Sequence, residues 1–272
     1  MPRVAILHPG EMGAAVGAAL VEAGTDVVWL PAGRGDETHR RAGAAGLTPV
    51  DDVRDCDVVL SVCPPGHAVE VAEAAAGFSG VYVDANAVSP ATAAEVARVV
   101  TASGAAYVDG GIIGPPPREP GTTRLYLSGD RAGEVARLFV DARIEPVVVD
   151  GGRFAASATK MTYAAWTKAS AALLLAAHET AVRLEVDDVL EAEWGISQPQ
   201  LADRLASARR SAAAKGWRWE AEMREIARTF AAAEQPDGFG EAAAEVFARY
   251  PRLATPRGAP LRSDASRGPR LG

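Results

Sequence analysis

The run His8-Pro9-Gly10-Glu11-Met12-Gly13 constrains this chain most, because of what stands on either side of it. Val4-Ala5-Ile6-Leu7 before it reads as a buried strand, and the alanine-rich segment from Gly13 to Leu20 reads as the next helix. Gly10 and Gly13 are two of the three glycines of the fingerprint G-x-G-x-x-G, and His8 stands in the first place. In such a strand–turn–helix the second glycine lets phosphates approach the backbone and the third lets helix pack on strand. The helix start supplies free N–H groups and a positive dipole. The first glycine serves the turn itself. Phosphate binding is therefore expected to survive His8, through the backbone amides of Gly10, Glu11 and Met12.

Beyond this helix the chain has the rhythm of an α/β sheet. Short Val/Ile/Leu-rich strands are expected near 3–7, 26–30, 58–62, 81–84, 106–109, 124–128 and 146–150, with helices near 13–23, 68–76 and 90–101. Ser89-Pro90 is a good helix start, a capping serine before a proline at the first helical position. Short apolar strands separated by helices imply a doubly wound, mostly parallel sheet covered on both faces, a Rossmann domain over residues 1–150. After Gly151-Gly152 the character changes. From 154 to about 184 there is no proline or glycine, and the chain is apolar nearly all round at 169–177, so a long buried helix is expected. Further helices near 200–214, 217–233 and 240–250 make 151–250 an all-α domain. So apolar a helix needs cover, which a homodimer would provide. Residues 251–272 lack periodicity and read as a disordered tail.

A chain of 272 residues with 48% hydrophobic composition can bury two such cores. A net charge of −7 argues against general nucleic-acid affinity. No apolar stretch reaches the ~20 residues of a membrane span. With no signal-peptide pattern at the start, a cytoplasmic location is expected. Cys56 and Cys63 form no paired motif, and His8, His39, His67 and His178 are scattered, so no metal site is expected.

In open α/β sheets ligands bind beyond the carboxyl ends of the strands. The second strand ends without the acidic residue that selects a ribose 2′-hydroxyl, and the first charge is Arg34, which suits a 2′-phosphate. The third strand leads to Cys63-Pro64 and the fourth to Asn86, both candidates to line the cofactor, although turn chemistry alone also explains an asparagine there. Gly110, Gly111, Ile112, Ile113 and Gly114 read as a bare loop suited to backbone contact with a small substrate. Lys160 lies among small apolar residues at the start of the long helix, where desolvation would fit it for proton transfer; a lysine snorkelling to the surface is the alternative. Tyr163, Thr167 and Lys168 share roughly its face.

These residues together resemble the β-hydroxyacid dehydrogenase superfamily, which includes 6-phosphogluconate dehydrogenase. Met12-Gly13 matches the end of its N-terminal G-x-G-x-M-G. Residues 84–90 are similar to its D-x-S-T-x-x-P segment, with Asn86 at the first hydroxyl position, and 109–115 fall where it has the substrate loop D-x-P-x-S-G-G. Lys160 matches its catalytic lysine. The resemblance covers about residues 3–185 and implies hydride transfer between NADP(H), with NAD(H) second, and a small substrate. Lys160 would be the general acid/base, with Asn86 and Tyr163 beside it. The family asparagine four residues after the lysine is Ala164 here, and the substrate-loop serine is Ile113. A less polar acid, aldehyde or ketone is therefore expected rather than 6-phosphogluconate. An imine reductase of the same architecture, and an NADP-binding regulatory protein without turnover, are the alternatives.

Overall fold

In the computed structural model, which describes residues 2–251, the short valine-rich runs become one eight-stranded sheet. Its strands are β1 (Arg3–Ile6), β2 (Asp26–Trp29), β3 (Thr48–Pro49), β4 (Val58–Ser61), β5 (Val81–Asp84), β6 (Ala106–Ile113), β7 (Arg124–Ser128) and β8 (Glu145–Val148). Their order is β3-β2-β1-β4-β5-β6-β7-β8, and every neighbouring pair is parallel except β6 and β7. Both faces are covered. Val4, Ile6, Val27, Leu60 and Val83 pack with α1 (Glu11–Glu22), α2 (Asp36–Ala44) and α5 (Ala132–Arg137). Ala5, Val28, Val59 and Tyr82 pack with α3 (Ala68–Ala74) and α4 (Pro90–Ala102) on the opposite face. The chain winds outward from β1 in one direction and from β4 in the other. The crevice at the carboxyl ends of these two strands is the topological switch point of a Rossmann-type sheet.

Beyond β8 the chain is helical: α6 (Ala155–Ala164), a π turn at Ala165–Ala169, α7 (Ser170–Arg183), α8 (Asp187–Ser197), α9 (Leu201–Ala232) and α10 (Gly238–Ala248). They share a third core that includes Met161, Leu175, Met223, Ile226 and Phe247. The expected helix over 154–184 is present, broken only by the π turn. The two helices expected over 200–233 are one, because Gly216 does not interrupt α9. A Cβ at Gly216 would stand 2.8 Å from the Tyr250 Cβ, so glycine there serves the close approach of the chain beyond α10.

Three further expectations need correction. The helices α2, α5 and α8 carry no signal strong enough to be expected from sequence. Residues 110–113 are strand, since β6 runs on to Ile113 paired with β7. The helix over 169–177 is not wholly buried in one chain: Ala172 and Leu175 are covered, but Leu173 is 71% exposed. Among the described residues no helix is long and apolar enough to cross a membrane. The expected tail falls, from residue 252 on, outside the described residues.

Candidate active site

The turn after β1 has the shape its glycines require. A Cβ at Gly13 would lie 2.2 Å from the His8 carbonyl oxygen, whereas the Cβ position at Gly10 is open. Ala14 is the first residue of α1 to bond back, from its N–H to the Gly10 carbonyl at 2.9 Å, so the N–H groups of Glu11, Met12 and Gly13 have no intrahelical acceptor. The amide of Gly10 differs from expectation. It donates to His8 O at 2.8 Å and is engaged within the turn. Glu11 places a carboxylate at this helix start, and Lys215 and Arg218 of α9 each approach it to 3.8 Å. Arg34, after β2, folds back so that its NH1 lies 2.6 Å from His8 Nε2, and Arg41 reaches Pro9 O at 3.5 Å.

The ends of β4 and β5 are joined by a closed polar network. Asn86, almost fully buried, accepts from the Cys63 N–H at 2.6 Å and donates to Ser61 Oγ (3.0 Å) and Asp84 Oδ1 (2.6 Å). Both its amide hydrogens and its oxygen are therefore engaged within the chain. It ties together the two turns that border the crevice. Cys63 contributes its backbone, and burial pushes its thiol up to about 12. Pro64 is exposed at the start of a 3-10 turn.

Next to this network Asp109 has a role that its place in the sequence does not disclose. It accepts from Ser157 N (2.8 Å), Ser157 Oγ (2.5 Å) and Ser128 Oγ (3.1 Å), and Ser128 Oγ accepts from Ala156 N at 3.0 Å. A strand carboxylate and a strand hydroxyl thus satisfy the first amides of α6, the helix that carries Lys160. Gly111 completes the attachment. A Cβ there would stand 2.8 Å from Ala156 O and 2.9 Å from Lys160 Cβ. Gly110 is likewise pressed against the turn after β5, where a Cβ would lie 3.0 Å from Asp84 O. These two glycines allow helix and turn to close on β6, and they are not a loop. Ile112 and Ile113 are buried, so only Gly114, at φ +129°, belongs to a connection.

Lys160 stands over β6 with its side chain only 15% exposed, and its Nζ is 3.7 Å from Glu222 Oε1. Glu222, from the middle of α9, was not anticipated. Its other oxygen takes a hydrogen bond from Lys168, whose ammonium also lies 5.4 Å from the Trp219 ring centre. The π turn makes this possible. In an unbroken α-helix Lys168 would sit about 80° round from Lys160, and the one extra residue of the π turn returns it to within about 20°. Burial alone would push the Glu222 carboxyl up, but the charges of Lys168 and Lys160 and the hydrogen bond from Lys168 outweigh it and hold the group below its ordinary range. Burial pulls the Lys168 ammonium down, with Glu222 opposing. Glu222 Oε1 is buried and has no hydrogen-bond partner among the described residues.

Tyr163 and Thr167 do not join this cluster. Tyr163 is 50% exposed, and the Thr167 hydroxyl donates back to the Tyr163 carbonyl at 3.1 Å. Among the described residues no group of three or more His, Cys, Asp or Glu side chains is placed to hold a metal ion.

Residues 181–250 match the family model of DUF1932, a domain of unknown function. No curated protein matches the sequence. Among solved structures the chain is similar to MTH1747, a conserved protein of unknown function described as structurally similar to 3-hydroxyacid dehydrogenases. The identity is 28% over 91% of this chain and 96% of that one, with a TM-score of 0.68. It is similar in fold to Mycobacterium tuberculosis 3-hydroxyisobutyrate dehydrogenase with L-serine (20% identity, 92% and 94% covered, TM-score 0.66). It is similar too to Psf3 in complex with NADP+ and 2-OPP (18% identity, 90% and 93% covered, TM-score 0.65). The chain has the fold of the 3-hydroxyacid dehydrogenase-like proteins, a Rossmann-type sheet followed by helices, and its DUF1932 match lies within those helices.

Proposed function

We propose that this protein is an NADP(H)-dependent oxidoreductase that interconverts a carbonyl and a hydroxyl in a small acid, aldehyde or ketone. The observation that carries the reading is the placement of Lys160. It is nearly buried, fixed over β6 by a capped helix, and its ammonium meets a single carboxylate at ion-pair distance. The turn after β1 fits a dinucleotide: open space at Gly10, amides at the start of α1 without intrahelical acceptors, and Arg34 beyond β2. Lys215 and Arg218 offset the charge that Glu11 brings there.

When bound, the nicotinamide supplies or accepts the hydride. Lys160 gives a proton to the carbonyl oxygen during reduction and takes one from the hydroxyl during oxidation. Glu222 holds the Lys160 ammonium from one side and leaves its remaining donors to the substrate. Two lysines against one carboxylate leave a net positive charge, which favours a substrate bearing a carboxylate. The helix cap at Asp109 and the contact at Gly111 keep Lys160 in register with the crevice.

The test follows NADPH absorbance against β-keto acids, aldehydes and cyclic imines, with the Lys160→Met variant beside the wild type. We expect turnover of a carbonyl acid, a loss of about 10²–10⁴-fold in the variant and unchanged NADPH affinity. Full activity in the variant overturns the role of Lys160. Turnover of imines alone overturns the substrate class. NADPH binding without turnover of any substrate points to a regulatory protein.

We also propose a homodimer through α7. Trp166 and Leu173 stand 73% and 71% exposed beside the small residues Ala165, Ala169 and Ala176, an apolar face that a second copy of the chain would cover. Light scattering should give twice the chain mass, and Leu173→Glu should halve it; a monomeric wild type rejects the dimer.

A further inference from the structure

His8, where the fingerprint has its first glycine, takes no part in the proton and hydride transfers. Its Nε2 lies 2.6 Å from Arg34 NH1. A guanidinium has no acceptor, so Nε2 must accept and the ring proton must sit on Nδ1. Nδ1 is buried and has no partner among the described residues, and Arg34 Nε is in the same state. Arg34 NH2 is only weakly held, 3.5 Å from Leu7 O. Two buried donors without acceptors, on residues that already touch each other, are costly and require an acceptor that the chain does not provide. Burial, then the charge of Arg34, pulls the His8 imidazole down to about 4, so it stays a neutral acceptor for Arg34 at physiological pH. Arg41, at Pro9 O, adds a second positive charge on the same turn.

We propose that His8 is a specificity-determining residue: it holds Arg34 over the first turn and, with its own Nδ1–H, forms with Arg34 a donor pair for a ribose 2′-phosphate, selecting NADP(H) over NAD(H). This rests on the cofactor assigned under the proposed function. The substituted glycine is then a gain of recognition and not a damaged motif. Arg34 alone would be a mobile surface charge. Anchored by an imidazole, it presents its donors in one geometry, which favours a phosphate monoester over a hydroxyl.

The experiment measures affinities of the full chain for NADPH, NADH, 2′,5′-ADP and ADP by calorimetry, in the wild type, His8→Gly, His8→Phe and His8→Asn. His8→Gly restores the fingerprint, His8→Phe keeps the bulk, and His8→Asn keeps an acceptor and a donor. We expect the wild type to prefer NADPH and 2′,5′-ADP. His8→Gly and His8→Phe should each lose about tenfold of that preference, the worth of one hydrogen bond to a charged group, with NADH and ADP affinity unchanged. His8→Asn should recover part of it. If both His8→Gly and His8→Phe keep the wild-type preference, the role of His8 is overturned while the cofactor reading stands. A wild type that binds neither dinucleotide overturns the cofactor reading itself.

Discussion

The first turn of α6 and the Lys160 cluster one turn later are both buried and polar, yet they are completed differently. At the first turn Asp109 accepts from Ser157 N, Ser157 Oγ and Ser128 Oγ, and in the adjoining network Asn86 engages both amide hydrogens and its oxygen. One turn on, Lys160 has one ionic contact at 3.7 Å, and Glu222 Oε1 has no hydrogen bond among the described residues. In a medium of low dielectric a saturated network is stiff, because moving any member leaves a buried group unpaired. An unsaturated one keeps donors for something the chain does not contain. Completeness of bonding, more than burial, separates the part that holds the candidate site from the part we propose acts in it.

The unsaturated side is most vulnerable at Glu222. Glu222→Ala leaves Lys168 and Lys160 facing each other without a counter-charge, and removing one side of a buried ionic group costs about 3–5 kcal/mol. Denaturant unfolding should show that loss, and Glu222→Gln, which keeps the shape, should recover part of the stability but not turnover. A Glu222→Ala protein as stable as the wild type would mean that the lysines are not held by this carboxylate.

A more gradual effect is expected on the saturated side. Burial pushes the Asp84 carboxyl up to about 7; hydrogen bonds from Asn86 oppose this and the charge of Asp109 adds to it. From about pH 4 to pH 7 the folded chain therefore keeps a proton that the unfolded chain has released. Stability should be full below that window and should fall as pH rises through it, by up to about 1.4 kcal/mol per pH unit from this group. Asp84→Asn, measured by unfolding at several pH values, should flatten that slope. An unchanged slope would place the proton elsewhere.

The sheet and its crevice were legible because their signals are local: period, composition, and glycines beside a helix start. Lys160 was legible because a lysine among alanines is conspicuous. Glu222 was not, since it lies in a stretch dense with charge, Arg218, Glu220 and Arg224, whose pattern reads as a solvated face. Its one signal was its place beside Met223 and Ile226 on the core-facing stripe of α9. Gly110 and Gly111 misled because glycine weakens a strand; their reason lies in α6 and in the turn after β5, distant in sequence, which only the fold brings close. Asn86 and Asp109 were visible as residues, but their bonds depend on five separate segments meeting.

Helix α9 touches Glu11 at the start of α1 through Lys215 and Arg218, the lysines through Glu222, and the start of α4 through Glu225, which accepts from Ser89 N at 2.7 Å. These three attachments span ten residues, about 15 Å of one rod. One stretch of a single helix therefore borders the turn after β1, the two lysines and the start of α4, and its packing against Met161, Leu175 and Phe247 holds all three in one frame.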